Sequence, residues 1–313
     1  MGALSSVWRR LLPREERVTL SDELRRAVAG RDWPTVQAHL EAMRGEREVV
    51  LDELAKSAVV REWTRGVVAD DATPSLTLLL AASCHLWVAR ERSGSVCARC
   101  APTPEQRQDP VALGMADSLL RAVAEREPEW VQPWSDLFIV ALGLGTDRGH
   151  MRHLFDEVVR REPEHLPVHV QYLQQLGTPH GGSDDDMHAF AYGAMTHAPE
   201  GSSLGVLIPH AHLESLRTAG YQGKGYLRNP LVARQLHHAA DRSVRHPDYR
   251  RGPEWVWVHN VFAMSFYLTG QLPAAREMFR ALDGRYTRSP WQGMPGKPLR
   301  AHRRARHRSG VWW

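Results

Sequence analysis

Cys97-Ala98-Arg99-Cys100 has the spacing of a chemical site. Two thiolates two residues apart supply half of a tetrahedral zinc site, which takes four Cys or His ligands in its structural form. No second Cys-x-x-Cys follows, and Cys84 and His85 are the neighbours in sequence that would complete the set. The competing reading is a plain surface loop. A redox pair would want βαβ surroundings, which the local pattern lacks. The 17 histidines pose the same question. His165 and His169 are four apart and would share a helix face. His210 and His212 flank Ala211, two residues before Glu214, while His237 and His238 are adjacent and diverge on a helix. No His-Glu-x-x-His spacing occurs. Packing or capping is the expected role of these histidines, with a metal or acid–base site as the alternative.

Serine-nucleophile chemistry is not expected, and the glycine motifs that cradle phosphates are absent; Gly143-Leu144-Gly145 reads as a turn between helices. Trp130, Trp134, Trp255 and Trp257 have the chemistry to line a peptide groove. Trp134, however, belongs to an apolar stripe and reads as core. Trp255 and Trp257, two apart, face different ways on a helix, so one of them is expected at the surface. No catalytic residue, metal ligand or cofactor is assigned on these patterns, and the binding residues stay undefined.

The elements that would position such groups are helical. Arg126-Glu127-Pro128-Glu129 recurs 35 residues later as Arg161-Glu162-Pro163-Glu164, and again as His197-Ala198-Pro199-Glu200. Weaker echoes follow at His246-Pro247-Asp248 and Arg288-Ser289-Pro290, the first of them after an insertion that takes in the glycine-rich stretch Ala219 to Gly225. Each proline follows an amphipathic run, cannot continue a helix, and biases its predecessor out of helical conformation. A period of about 34 residues holding two helices and a breaker is the plan of helix-pair repeats. Within it, Trp134, Leu137, Phe138, Ala141 and Leu142 form one apolar stripe, and Met151, Leu154, Phe155, Val158 and Val159 another. Ala275, Met278, Phe279 and Leu282 repeat the stripe. Asp147 and Ser183 are placed to cap helix starts, the latter followed by three Asp on the positive end of the dipole. Gly30-Arg31-Asp32-Trp33-Pro34 reads as an interhelical turn. No alternating pattern predicts a strand of useful length.

Tyr267-Leu268-Thr269-Gly270-Gln271-Leu272-Pro273-Ala274-Ala275-Arg276-Glu277-Met278-Phe279 resembles the second half of a tetratricopeptide unit. Tyr267, Gly270, Ala275 and Phe279 match the family's aromatic, turn glycine, small residue and second aromatic. The stretch from Arg161 to Leu216 is similar to bacterial tetratricopeptide-like proteins grouped under domains of unknown function. The resemblance implies an all-α fold, an α-solenoid of antiparallel helix pairs with irregular repeats, and a scaffold that binds a protein or peptide in the groove of the stack. It implies no activity, since such folds host many functions.

The expected organisation is a flexible N-terminus over 1–17, a helical part over 18–92, a loop over 93–110, repeats over 111–290, and a basic, disordered tail over 291–313. The tail carries the charge. The chain has 40 Lys and Arg against 36 Asp and Glu. Six of the basic residues (Lys297, Arg300, Arg303, Arg304, Arg306 and Arg308) lie in the tail, and subtracting six from 40 leaves 34 against 36 elsewhere. The body therefore asks for no nucleic acid, and binding through the tail is the alternative function to set beside a His/Cys metal-dependent enzyme. A docking peptide ending in Trp312-Trp313 and an altered reading frame past Trp291 are further readings of that tail. Only three basic residues are Lys, the composition of a GC-rich genome. The run from Leu76 to Val88 is too short and too interrupted for a bilayer and reads as a buried helix. The three Cys fit no disulfide framework, and the N-terminus lacks a signal-peptide core. Met1-Gly2-Ala3-Leu4-Ser5-Ser6 fits the short myristoylation pattern, a match attributed to chance. A cytosolic location without membrane contact is the expectation.

Overall fold

The structure, a computed structural model, describes residues 14–15, 20–43, 47–92, 109–219 and 224–312. The chain is all-α and divides into two compact units, Val18–Val168 and His169–Trp313, the short strand Arg14–Glu15 belonging to the second.

The first unit begins with α1 (Asp22–Ala29) and α2 (Trp33–Ala42). Ser21 caps the first by accepting from the Leu24 amide, and Asp32 caps the second by accepting from Thr35. The turn expected at Gly30 to Pro34 is therefore present, with Arg31 in the left-handed region. α3 (Arg47–Ala55) and α4 (Ala58–Thr64) follow, then α5 (Ser75–Arg92). The apolar run in α5 is buried from Leu76 to Cys84 and again at Leu86, and the helix packs on α2, α3 and α4. It packs also on α6 (Pro110–Arg126), which packs on α7 (Gln132–Leu144), which packs on α8 (Arg148–Arg161). The three-residue link between α7 and α8 starts later than the turn expected at Gly143 to Gly145, since Gly143 and Leu144 stay in α7, but the expected roles of Gly145 and Asp147 hold. Gly145 takes a left-handed φ of 67° that ends one helix, and Asp147 accepts from the His150 amide at 3.0 Å to start the next. Pro128 and Pro163 each sit two residues past the end of a helix, as breakers should.

α9 (Leu166–Gln175) opens at the last residues of the first unit and runs into the second. The second unit continues with α10 (Asp184–His197), a 3₁₀ turn at Ser203–Val206, α11 (Leu207–Thr218) and the single turn α12 (Lys224–Leu227). Next come α13 (Pro230–Arg242), α14 (Trp255–Leu268) and α15 (Leu272–Leu282). Ser183 caps α10 through the Asp186 amide at 3.0 Å. α14 is largely apolar, buried without a break from Val256 to Phe266, and packs on α11, α13 and α15. The link to α15 passes through Gly270 at φ 77°, and Ala275 and Phe279 are buried behind it. Arg285–Tyr286 forms a two-residue parallel pairing with Arg14–Glu15.

The end of the chain differs from the expected disorder. Pro298–Arg308 is an α-helix, α16, that packs on α14 and α15. It buries Ala301, His302, Ala305 and Arg306, and Trp291 ahead of it is fully buried. These residues recur at i, i+1, i+4 and i+5, a helical stripe made of small, imidazole and guanidinium groups that a hydropathy reading takes for polar. Among the described residues, no helix is long and apolar enough to cross a membrane.

Candidate functional site

The densest chemistry in the second unit gathers on α11 and the helices around it. His212 projects between α12 and α13. Its Nδ1 lies 2.7 Å from the Tyr226 hydroxyl and its Nε2 lies 3.1 Å from Oε1 of Gln235. An amide oxygen only accepts, so Nε2 carries the proton and Nδ1 offers its lone pair to the phenol. The same Tyr226 oxygen is 3.4 Å from Nε2 of His188 on α10, and that nitrogen is 3.1 Å from Oγ of Ser215, one turn along α11 from His212. Five side chains from four helices are thus joined in one chain, Gln235, His212, Tyr226, His188 and Ser215, with the two imidazole rings 4.7 Å apart.

Burial sets the electrostatics of this network. It pushes His212 down to about 4, with His188 adding to the shift and the Gln235 contact opposing it. Burial also lowers His188, against the pull of Asp184 and Asp185, and raises the Tyr226 phenol to about 12. At neutral pH the cluster therefore holds neutral imidazoles and a neutral phenol. Tyr226 keeps 41% of its surface exposed, so the network reaches solvent through its hydroxyl-bearing ring.

The adjoining face of α11 carries His210 and Glu214, one turn apart and 3.8 Å from Nε2 to carboxylate. Gln174 donates to Glu214 at 3.1 Å and Arg217 pairs with it at 2.8 Å. Burial would raise the Glu214 carboxyl, but His210, Arg217 and Gln174 together hold it below its ordinary value. Nδ1 of His210 is buried without a hydrogen-bond partner, and its ring lies edge-on to Trp257 at 5.4 Å.

In the first unit, Asp136 on α7 is 4% exposed and its Oδ2 has no hydrogen-bond partner. Burial drives its carboxyl well above the usual range, the negative charges of Glu48 and Asp52 push the same way, and Arg90 opposes them. Arg90 pairs with Asp52 at 3.2 Å, and Glu48 lies 3.4 Å from Nε2 of His165.

The sequence candidates fall out as follows. Cys97 and Cys100 lie outside the described residues. Cys84 is buried and its thiol is pushed up to about 11, which makes it a poor thiolate. His165 accepts from the Val168 amide at 3.3 Å and so starts α9, while His169 stacks on Phe190 at 6.0 Å. His237 packs against Phe266 and lies 3.4 Å from Gln271 Oε1; His238 is exposed. The four tryptophans are occupied singly. Arg47 covers Trp130, Arg161 covers Trp134 and Arg251 covers Trp255, whereas Trp257 is buried and donates to Ser289 at 3.3 Å. Among the described residues, no set of three or more His, Cys, Asp or Glu is disposed to hold a metal ion.

Sequence reading overlooks two features. His188 and Tyr226 join His212 across 24 and 14 residues, at spacings that belong to no motif. Gly201-Ser202-Ser203-Leu204-Gly205 does carry the Gly-x-Ser-x-Gly spacing. Here Ser203 opens a 3₁₀ turn instead of the strand-to-helix elbow that the spacing serves in hydrolases. Its glycines answer to packing: a Cβ on Gly205 would meet Ser243 Cβ at 2.6 Å and the Ala239 carbonyl at 2.9 Å. No family model, no curated protein and no solved structure matches the chain.

Proposed function

We propose that the chain is a tetratricopeptide-like protein-interaction scaffold of the cytosol, non-enzymatic, whose helix pairs stack antiparallel within each unit and take a protein or peptide partner on their exposed faces. The turn at Gly270 supports the repeat reading most directly. A left-handed glycine joins two packed helices, and the small and aromatic residues of the tetratricopeptide pattern, Ala275 and Phe279, are buried across it. The binding reading rests on Tyr192 and Leu231, which stand about half exposed in the second unit, where Tyr226, Leu272 and Trp312 are exposed as well. Exposed aromatic and aliphatic anchors of this kind carry peptide recognition. Affinity capture from source-cell lysate with the wild-type chain and with a Tyr192→Asp/Leu231→Asp variant of unchanged circular dichroism tests this. A specific protein retained by the first and lost by the second supports it; no protein retained, or equal retention, overturns it.

A second reading has its own observation. Arg300, Arg304 and Arg308 follow one another at four-residue steps along α16, and all three are exposed, with no acid on the helix. Such a basic stripe suits a phosphate backbone. The test is salt-dependent binding of a mixed-sequence oligonucleotide by wild type and by an Arg300→Gln/Arg304→Gln/Arg308→Gln variant. Equal binding by both, or none by wild type, removes the reading.

A further inference from the structure

We propose that His188, His212 and Tyr226 form a binding site for one divalent transition-metal ion of the Zn²⁺ and Cu²⁺ class. The Tyr226 oxygen is 2.7 Å from Nδ1 of His212 and 3.4 Å from Nε2 of His188. Two imidazole nitrogens therefore lie close to one phenolic oxygen, the three donors coming from three helices. In a tetrahedral site with bonds of about 2.0–2.1 Å, ligand atoms sit roughly 3.3 Å from one another. The existing separations bracket that value, so the ion enters with shifts of a few tenths of an ångström and displaces the phenolic proton.

Two features of the surroundings fit a metal better than a packing role. Gln235 Oε1 accepts from Nε2 of His212 and so aims the Nδ1 lone pair at the site, the outer-shell arrangement that metal-ligating histidines usually show. Ser215 Oγ, 3.1 Å from Nε2 of His188, competes for that nitrogen's single lone pair and gives it up when the ion binds. Asp184 and Asp185, in the first turn of the helix that carries His188, place negative charge near that ring and favour a cation. Imidazole nitrogens with one oxygen donor are the ligand set that selects this class over Mg²⁺ and Ca²⁺. The exposed edge of Tyr226 leaves an approach from solvent and a fourth position for water.

The full-length chain, stripped by chelator and exchanged into metal-free buffer, is titrated with Zn²⁺ alone and with Cu²⁺ alone by calorimetry, and the Cu²⁺ form is read by visible absorption. One equivalent of each ion is expected to bind at micromolar or tighter affinity. The Cu²⁺ form is expected to show a phenolate-to-copper charge-transfer band. Tyr226→Phe abolishes that band and weakens binding roughly tenfold, and His188→Ala or His212→Ala weakens it at least a hundredfold. Gln235→Leu keeps all three ligands and is expected to weaken binding about tenfold, which keeps the test open if an alanine variant fails to fold. His237→Ala, remote from the trio, leaves the titration unchanged. Absence of a stoichiometric site in wild type, or a site unmoved by Gln235→Leu and Tyr226→Phe, overturns the proposal.

Discussion

Nε of Arg161 donates to the carbonyl oxygen of Pro128 at 2.6 Å, reaching back from the end of α8 to the turn that precedes α7. The same guanidinium lies 4.4 Å from the centre of the Trp134 ring and pairs with Glu157 at 2.7 Å. Arg126, its counterpart one repeat earlier, does the equivalent work by donating to the carbonyls of Thr73 and Asp70 at 2.8 and 2.7 Å. The arginine of the recurring Arg-Glu-Pro-Glu is therefore a clasp between the end of a helix pair and the segment that leads into it, and the proline is the breaker that ends the helix behind it. Replacing Arg161 with Ala removes a charge-assisted hydrogen bond and a cation–π contact from a side chain that is 3% exposed. The expected loss is about 2 kcal/mol in urea unfolding. Arg161→Lys, which keeps charge without the planar fork, should recover less than half of it.

Where the sequence is legible, the reason is local. Proline breakers, the caps at Asp147 and Ser183, and the stripe around Phe138 each act within a few residues, so spacing alone exposes them. α16 is not legible this way, because its buried face is His302 and Arg306 between alanines, and only the aromatic wall formed by Phe279, Tyr286 and Trp291 makes that face an inside. The cluster at Tyr226 fails for a second reason. Its members come from four helices, and Tyr226 itself follows a glycine-rich stretch that reads as a mere connection.

His302 gives a pH dependence with a definite sign. Burial, then Arg306 and Arg303 on its own helix, push it down to about 3, and neither ring nitrogen has a hydrogen-bond partner. The unfolded chain returns it to about 6.5. The stability it leaves intact at neutral pH is lost as pH falls from about 6.5 toward 3, because only the unfolded state takes the proton. At pH 5 the cost is about 2 kcal/mol. His302→Phe keeps a ring against Phe279, Tyr286 and Trp291 and removes the titration. The difference in unfolding free energy between variant and wild type should grow in the variant's favour between pH 7.5 and 5; a constant difference would count against this account.

Trp291 joins α16 to the core. Its ring is fully buried, stacks with Phe279 at 6.0 Å, and donates from Nε1 to Asn260 Oδ1 at 2.7 Å. Asn260 is itself fully buried on α14 and donates to the Val256 carbonyl at 2.8 Å. Trp291→Ala should cost about 4 kcal/mol from the lost ring and cavity, and Trp291→Phe about half of that with the amide oxygen left unpaired. For the same reason a chain ended near Arg288 exposes Phe279 and should lose its sharp thermal transition, so it is no substitute for point variants in binding work.

Asp136 sets the opposite pH trend in the first unit. A buried carboxyl, with Glu48 and Asp52 adding negative potential and Arg90 offsetting part of it, favours the protonated form. Its folded value is raised above the ordinary one of about 4. Between those two values the folded chain holds a proton that the unfolded chain has released, so the unfolding free energy falls as pH rises through that window. Below about pH 4 both states are protonated and the group is neutral in effect. Asp136→Asn keeps the shape and removes the charge. The variant should match wild type near pH 4 and exceed it progressively at higher pH, as urea unfolding at several pH values would show. A variant less stable than wild type at pH 8 by as much as at pH 4 would mean that Asp136 is held as an anion, with Arg90 supplying more than the offset assigned to it here.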